Sequence, residues 1–146
     1  MKPRTRARSI ALQALYEIDI AGHPPEVVLG ERFADGPLED SLADFARQIV
    51  FGVIPIVNEL DDIIAKHAPE WPLDQVATID RNILRIALWE IAVSDQTPLK
   101  VAINEAVELG KWFGSESTAR FVNGVLGILS LHLNEIIQTL KKHKLP

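Results

Sequence analysis

The stretch that decides the fold is Lys100–Leu126, KVAINEAVELGKWFGSESTARFVNGVL. Ala102, Ala106, Leu109 and Phe113 recur at three- and four-residue steps, the spacing of one face of an α-helix. Gly114 follows as a natural C-cap, and Ser115 or Ser117 as a natural N-cap for a second helix. That second helix opens on Arg120 and Phe121, a cation and an aromatic ring in a first turn beside a loop. Side chains placed there reach a single-stranded nucleic acid without disturbing a core. The helix is expected to continue to about Lys142.

Outward from this pair, apolar spacing is helical nearly everywhere, and no alternating strand is evident. A helix from about Arg4 to Ile20 buries Ile10, Ala11, Ala14, Leu15 and Ile18, and Gly22-His23-Pro24-Pro25 ends it. A short helix, about Glu26–Phe33, precedes a turn at Asp35-Gly36-Pro37. A long periodic segment over about Leu38–His67 carries Leu42, Phe45, Ile49, Ile56, Leu60 and Ile63. Pro55 lies inside it, removes a backbone donor and clashes with the preceding turn, which predicts a kink or break near Gly52–Pro55. Pro69 and Pro72 bracket Trp71 in a connection between halves. The next helix, Thr78–Val93, turns Ile79, Ile83, Ile86 and Ala87 inward and leaves Asp80, Arg81 and Arg85 outside. The expected fold is all-α, with about seven helices and short connections that favour antiparallel neighbours.

Two further features of the closing helices call for an explanation in packing. Gly124 and Gly127 each cost ~1 kcal/mol relative to alanine in a helix, which points to a neighbouring helix crossing closely there. Asn104 and Asn123 stand in apolar helices, where they are expected to satisfy buried backbone groups or each other.

Composition bounds the function. The 146 residues are 47% hydrophobic and 24% charged, the balance of an ordinary globular domain. With a net charge of −5 the chain is no general polycation, so any nucleic-acid contact must come from a local patch. There is no cysteine, which excludes disulfides, thiolate metal sites and cysteine nucleophiles, and fits a reducing, cytoplasmic compartment. The basic, then apolar, N-terminus is interrupted by Gln13, Tyr16, Glu17 and Asp19, so it reads as an amphipathic helix and not as a signal peptide. No apolar run approaches the ~20 residues needed to cross a bilayer.

The local patch has two candidates. Lys2, Arg4, Arg6 and Arg8 crowd the start of the first helix, the wrong end of the macrodipole for cations. They form either a solvated tail or a phosphate clamp. Four phosphate contacts on a single strand give a slope of about −3 in log K against log salt. The second candidate is Lys111, Ser117, Arg120 and Phe121, where Phe121 either stacks on a base or joins the core. Glu105 and Glu108 read as a solvated face, and His23, His67, His132 and His143 are scattered, so no metal set is expected. No glycine-rich phosphate loop, dinucleotide fingerprint or nucleophile elbow is present. Nothing here argues for an enzyme, and no cofactor is expected.

Four blocks, LQALYE at Leu12–Glu17, LRIALWE at Leu84–Glu90, KVAINEAVEL at Lys100–Leu109 and FVNGVL at Phe121–Leu126, resemble the NusB family of bacterial transcription antitermination factors. The resemblance implies one RNA-binding domain made of two small helical bundles, about residues 1–68 and about 72–146. It implies a non-enzymatic role in ribosomal RNA transcription, with binding of single-stranded boxA RNA together with NusE, a ribosomal small-subunit protein. It also implies assembly with RNA polymerase and other Nus factors. Carried over by position, the RNA surface takes Lys2, Arg4, Arg6, Arg8, Lys111, Ser117, Arg120 and Phe121, and the NusE surface takes Tyr16, Asp80 and Arg85. Two departures stand out: the arginines are spaced singly, and Ser117 occupies a loop position that is commonly acidic. Two alternatives remain open: a protein-interaction module that homodimerises and masks its RNA face, and an RNA-delivery domain like those fused to RNA cytosine methyltransferases. The length of 146 residues leaves no room for a cofactor domain, which weighs against the second.

Overall fold

The computed structural model describes residues 1–70 and 76–141. Trp71 and Pro72 of the expected connection, His143, and the expected helix end at Lys142 lie outside the described residues. Among those described there are eight α-helices and no strand. They are α1 (Pro3–Ala21), α2 (Pro25–Asp35), α3 (Asp40–Val53), α4 (Val57–His67), α5 (Thr78–Trp89), α6 (Leu99–Phe113), α7 (Glu116–Ser130) and α8 (Leu133–Leu140). A tight 3-10 turn, Ile54–Ile56, separates α3 from α4 at Pro55, where proline was expected to interrupt the helix. The chain divides into two compact units, Met1–Pro55 and the remainder from Ile56. The division falls at Pro55 and not near residues 68–72, because α4 packs on α5 and α7.

In the N-terminal unit α1 packs against both α2 and α3. Its first half is therefore buried nearly all round, from Ala7 through Leu12. Pro3 begins the helix with its fixed φ, and Gly22 ends it in the left-handed region at φ 68°, donating its N–H to Ile18 O. The buried polar group Ser9 is satisfied locally, its hydroxyl donating to Arg6 O at 2.7 Å. Arg32 on α2 ties that helix to α1 by donating to Gln13 Oε1 at 3.1 Å and Glu17 Oε1 at 3.2 Å.

In the C-terminal unit α5 is the central helix, with every residue from Asn82 to Trp89 buried. The expectation that Arg85 lies outside is corrected here. Its side chain is 6% exposed and grips Asp61 of α4 through two parallel bonds, Nε to Oδ1 at 2.8 Å and Nη2 to Oδ2 at 2.7 Å. A third bond runs from Nη1 to Asn82 Oδ1 at 3.1 Å. A guanidinium withdrawn from water needs such a planar, bidentate partner. After Trp89 the helix widens into a π turn, Glu90–Ser94, which closes where Asp95 adopts φ 55°. The buried Glu90 carboxylate accepts from Thr97 Oγ1 at 3.0 Å.

Helices α6 and α7 form the hairpin read from Lys100–Leu126. Their close approach is at Gly110, where an added β-carbon would lie 3.2 Å from Ala119 Cα. Gly124 and Gly127, expected at a close crossing, meet nothing within 4 Å. Asn104 and Asn123 are exposed, so the expected buried amide role is not what these side chains do. The last helix also stops short of its expected end. Leu131 and His132 turn their N–H groups to Ile128 O and Leu129 O, three residues back, and this tightening closes α7 before α8 begins.

Candidate nucleic-acid interface

The basic start of α1 separates into different environments. Lys2, Arg4 and Arg6 are exposed. The Arg4 guanidinium lies over the Phe45 ring at 4.0 Å from its centroid, and Arg6 Nη2 donates to Pro37 O at 3.2 Å. Arg8 is 2% exposed, with its guanidinium 5.0 Å from the same Phe45 ring. The assignment of Arg8 to a phosphate clamp is therefore corrected. Ring contact and burial among α1 and α3 residues hold it inside, and a polyanion cannot reach it.

The second set gathers at the start of α7. Ser115 is the N-cap: its hydroxyl accepts the Thr118 N–H at 3.4 Å, and its own N–H donates to Thr118 Oγ1 at 3.1 Å. This reciprocal pair satisfies two of the donors a helix start leaves open. Thr118 Oγ1 in turn donates to Asp80 Oδ1 of α5 at 3.1 Å. Gly114 is required beside this knot, since a β-carbon there would stand 2.6 Å from Thr118 Cβ. The backbone at Gly114 is extended, so crowding and not a left-handed φ selects glycine. Burial pushes the Asp80 carboxyl above its usual range, and the Thr118 hydrogen bond pulls the other way.

From this fixed turn Lys111, Ser117 and Arg120 reach solvent, Ser117 Oγ lying 2.6 Å from Ser115 Oγ. Phe121 is partly buried, and Trp112 is 58% exposed on the last turn of α6. The helix start adds backbone N–H groups that favour an anion. Chemically the turn offers two cations, a ring and the N-terminal end of a helix, which suit a phosphate chain with a splayed base. Of the residues assigned to a protein partner, Tyr16 is 38% exposed on α1, while Asp80 is partly buried and Arg85 is inside. Thr118 and Phe45 organise these two sets; sequence reasoning passed over the first and read the second only as a position of the periodic apolar stripe. The Ser115-x-x-Thr118 spacing after a glycine is the one local sign of the first. No group of three or more potential metal-ligating residues occurs among those described.

The sequence profile of the NusB family matches residues 5–130. The chain belongs to the NusB family. A transcription antitermination protein NusB from Roseiflexus castenholzii is 48% identical over 126 residues, covering 85% of this chain and 89% of its own length. The fold is similar to that of T. maritima NusB, with a TM-score of 0.81 and 30% identity over 94% of this chain and 98% of that one. It is similar also to a structure of antitermination factors NusB and NusE in complex with dsRNA, with a TM-score of 0.79 and 26% identity, covering 94% and 98% of the two chains. The family profile spans the α5 block, the whole α6–α7 hairpin and α1 from Thr5, so it takes in Arg6 and Arg8 of the first set and all of the second, while Lys2 and Arg4 precede its first matched residue. No helix among the described residues is long and apolar enough to cross a membrane.

Proposed function

We propose that this protein is a transcription antitermination factor that binds the boxA element of nascent RNA together with NusE and supports ribosomal RNA transcription. The observation that carries the RNA reading is the turn at Gly114-Ser115, locked by Thr118, with exposed Lys111, Ser117 and Arg120 and the half-buried Phe121 around it on a chain of the NusB family. Lys2, Arg4 and Arg6 supply phosphate contacts from the N-terminal unit, and Arg8 supports them from within. Single-stranded RNA is the natural ligand of this chemistry, because a ring stacks on a base only where the base is already unstacked. Tyr16 and Asp80 are proposed as NusE contacts, and Arg85 holds α5 to α4 through Asp61. Assembly with RNA polymerase and further Nus factors follows as the setting of this activity.

The test is fluorescence anisotropy of a boxA-type RNA, with and without NusE, across a salt series. The expected result is tighter binding with NusE and a slope of about −3.5 in log K against log salt for protein alone, about five phosphates on a single strand for Lys2, Arg4, Arg6, Lys111 and Arg120. A slope near zero, or no binding in either condition, overturns the RNA assignment.

A further inference from the structure

The hydrogen bonds that run from α5 into α7 give Asp80 a duty apart from any partner contact. Thr118 is 5% exposed, and its oxygen serves two neighbours: it donates to Asp80 Oδ1 at 3.1 Å and accepts the Ser115 N–H at 3.1 Å. With the proton committed to Asp80, a lone pair faces Ser115, which is the orientation the capping pair needs. Ser115 Oγ, holding the Thr118 N–H, also contacts Ser117 Oγ at 2.6 Å, so the same network reaches a residue of the RNA surface. Gly114 leaves room for Thr118 to sit against the turn. The direction in which Ser117, Arg120 and Phe121 leave α7 is thus fixed from α5.

We propose that Asp80 is a positioning residue for RNA, acting through Thr118 to hold the first turn of α7 in the geometry that presents Arg120 and Phe121. The proposal rests on the reading that the start of α7 contacts RNA. It makes a prediction opposite in sign to simple electrostatics. Removing a carboxylate near a phosphate chain strengthens binding by charge alone, whereas loss of the acceptor for Thr118 weakens it.

The experiment is titration of a boxA-type RNA by the full chain without NusE, so that no partner contact enters. Asp80→Ala is expected to weaken binding about three- to tenfold, the effect of one lost hydrogen bond. Asp80→Asn, which keeps an acceptor and loses the charge, is expected to bind as the parent does or tighter. Thr118→Val removes the hydroxyl with little change of shape; it cuts the bond to Asp80 and also the acceptor of the Ser115 N–H, and is expected to weaken binding at least as much as Asp80→Ala. The double variant is expected to be no weaker than Thr118→Val alone, since that variant already cuts the bond through which Asp80 acts. Asp80→Ala and Thr118→Val binding as the parent does, while Phe121→Ala loses affinity, overturns the positioning role and leaves the RNA reading standing. Asp80→Asn losing as much as Asp80→Ala also overturns it. If Phe121→Ala and Arg120→Ala lose nothing, the RNA reading falls and the positioning role with it.

Discussion

Gly110 and Ala119 are backbone neighbours across the α6–α7 hairpin: a β-carbon at position 110 would stand 3.2 Å from Ala119 Cα and 3.3 Å from its nitrogen. These two atoms belong to backbone, which cannot rotate aside as a side chain can, and Thr118 Cγ2 crowds the same point at 3.3 Å. The other glycines in this hairpin have different reasons to exist, since Gly114 makes room for Thr118 while Gly124 and Gly127 face open space.

Gly110→Ala therefore destabilises the fold. Overpacking of about 1–3 kcal/mol outweighs the ~1 kcal/mol that alanine gains in a helix. Gly124→Ala and Gly127→Ala meet no obstacle and are each expected to stabilise by up to about 1 kcal/mol. Urea denaturation of the three variants checks the contrast. A Gly110→Ala midpoint above the parent's would show that the two helices do not approach as closely as described.

Asp61 and Arg85 form an enclosed ion pair in the C-terminal unit, with side-chain exposures of 26% and 6%. Asp61→Ala leaves a guanidinium buried without its carboxylate, and its expected cost is about 3 kcal/mol. Arg85→Lys is expected to be costly too, since an ammonium cannot make the two parallel bonds to Asp61. Thermal melts read both effects. A loss below about 0.5 kcal/mol for Asp61→Ala would place the pair among surface bridges.

The cations of the RNA surface separate by environment. Arg120→Ala removes an exposed charge and is expected to flatten the salt slope by about 0.7, one phosphate on a single strand, with little change in melting temperature. Arg8→Ala removes a buried side chain packed on Phe45 and is expected to destabilise by about 2 kcal/mol, the upper range for a desolvated cation over a ring. Its salt slope should match the parent's at a temperature where both are folded. A flattened slope for Arg8→Ala would return that residue to the phosphate clamp.

The sequence made legible what local chemistry decides. The helices expected over Arg4–Ile20 and Lys100–Phe113 appear as Pro3–Ala21 and Leu99–Phe113, since proline and glycine punctuate both. The break at Pro55 follows from a missing donor and a clash within one turn. The end of α7 was not legible, because no proline or glycine marks Leu131 and His132 and the tightening comes from backbone bonds alone. The inward placement of Arg8 and Arg85 was hidden for a different reason. Each depends on a partner far along the chain, Phe45 for one and Asp61 for the other, and helical spacing carries no record of that. At the candidate site a cap at Ser115 or Ser117 was readable from the flanking glycine, and the structure selects Ser115. The bond from Thr118 to Asp80 spans 38 residues and was not.

Acid sensitivity should begin at the contact of α4 with the start of α8. His67 and His132 stack with ring centroids 4.4 Å apart, and beside them Lys66 Nζ meets Glu135 Oε1 at 2.6 Å. Burial holds the His67 imidazole below its ordinary value of 6.5, with the charges of His132 and Lys66 pulling the same way and Glu135 opposing them. The unfolded chain then takes up this proton at a higher pH than the folded chain does. Stability is full above the ordinary histidine value and falls as pH drops from there through the lower folded value. The Glu135 carboxyl is held below its ordinary 4.5, chiefly by Lys66, so its contribution is present above that value and is lost only at lower pH. Two separate windows result, the His67 window at the higher pH. Melting temperatures measured from pH 7.5 down to pH 5 should fall for the parent, and the fall should shrink in His67→Gln, which cannot take up the proton. An unchanged fall in that variant would move the acid sensitivity to another group.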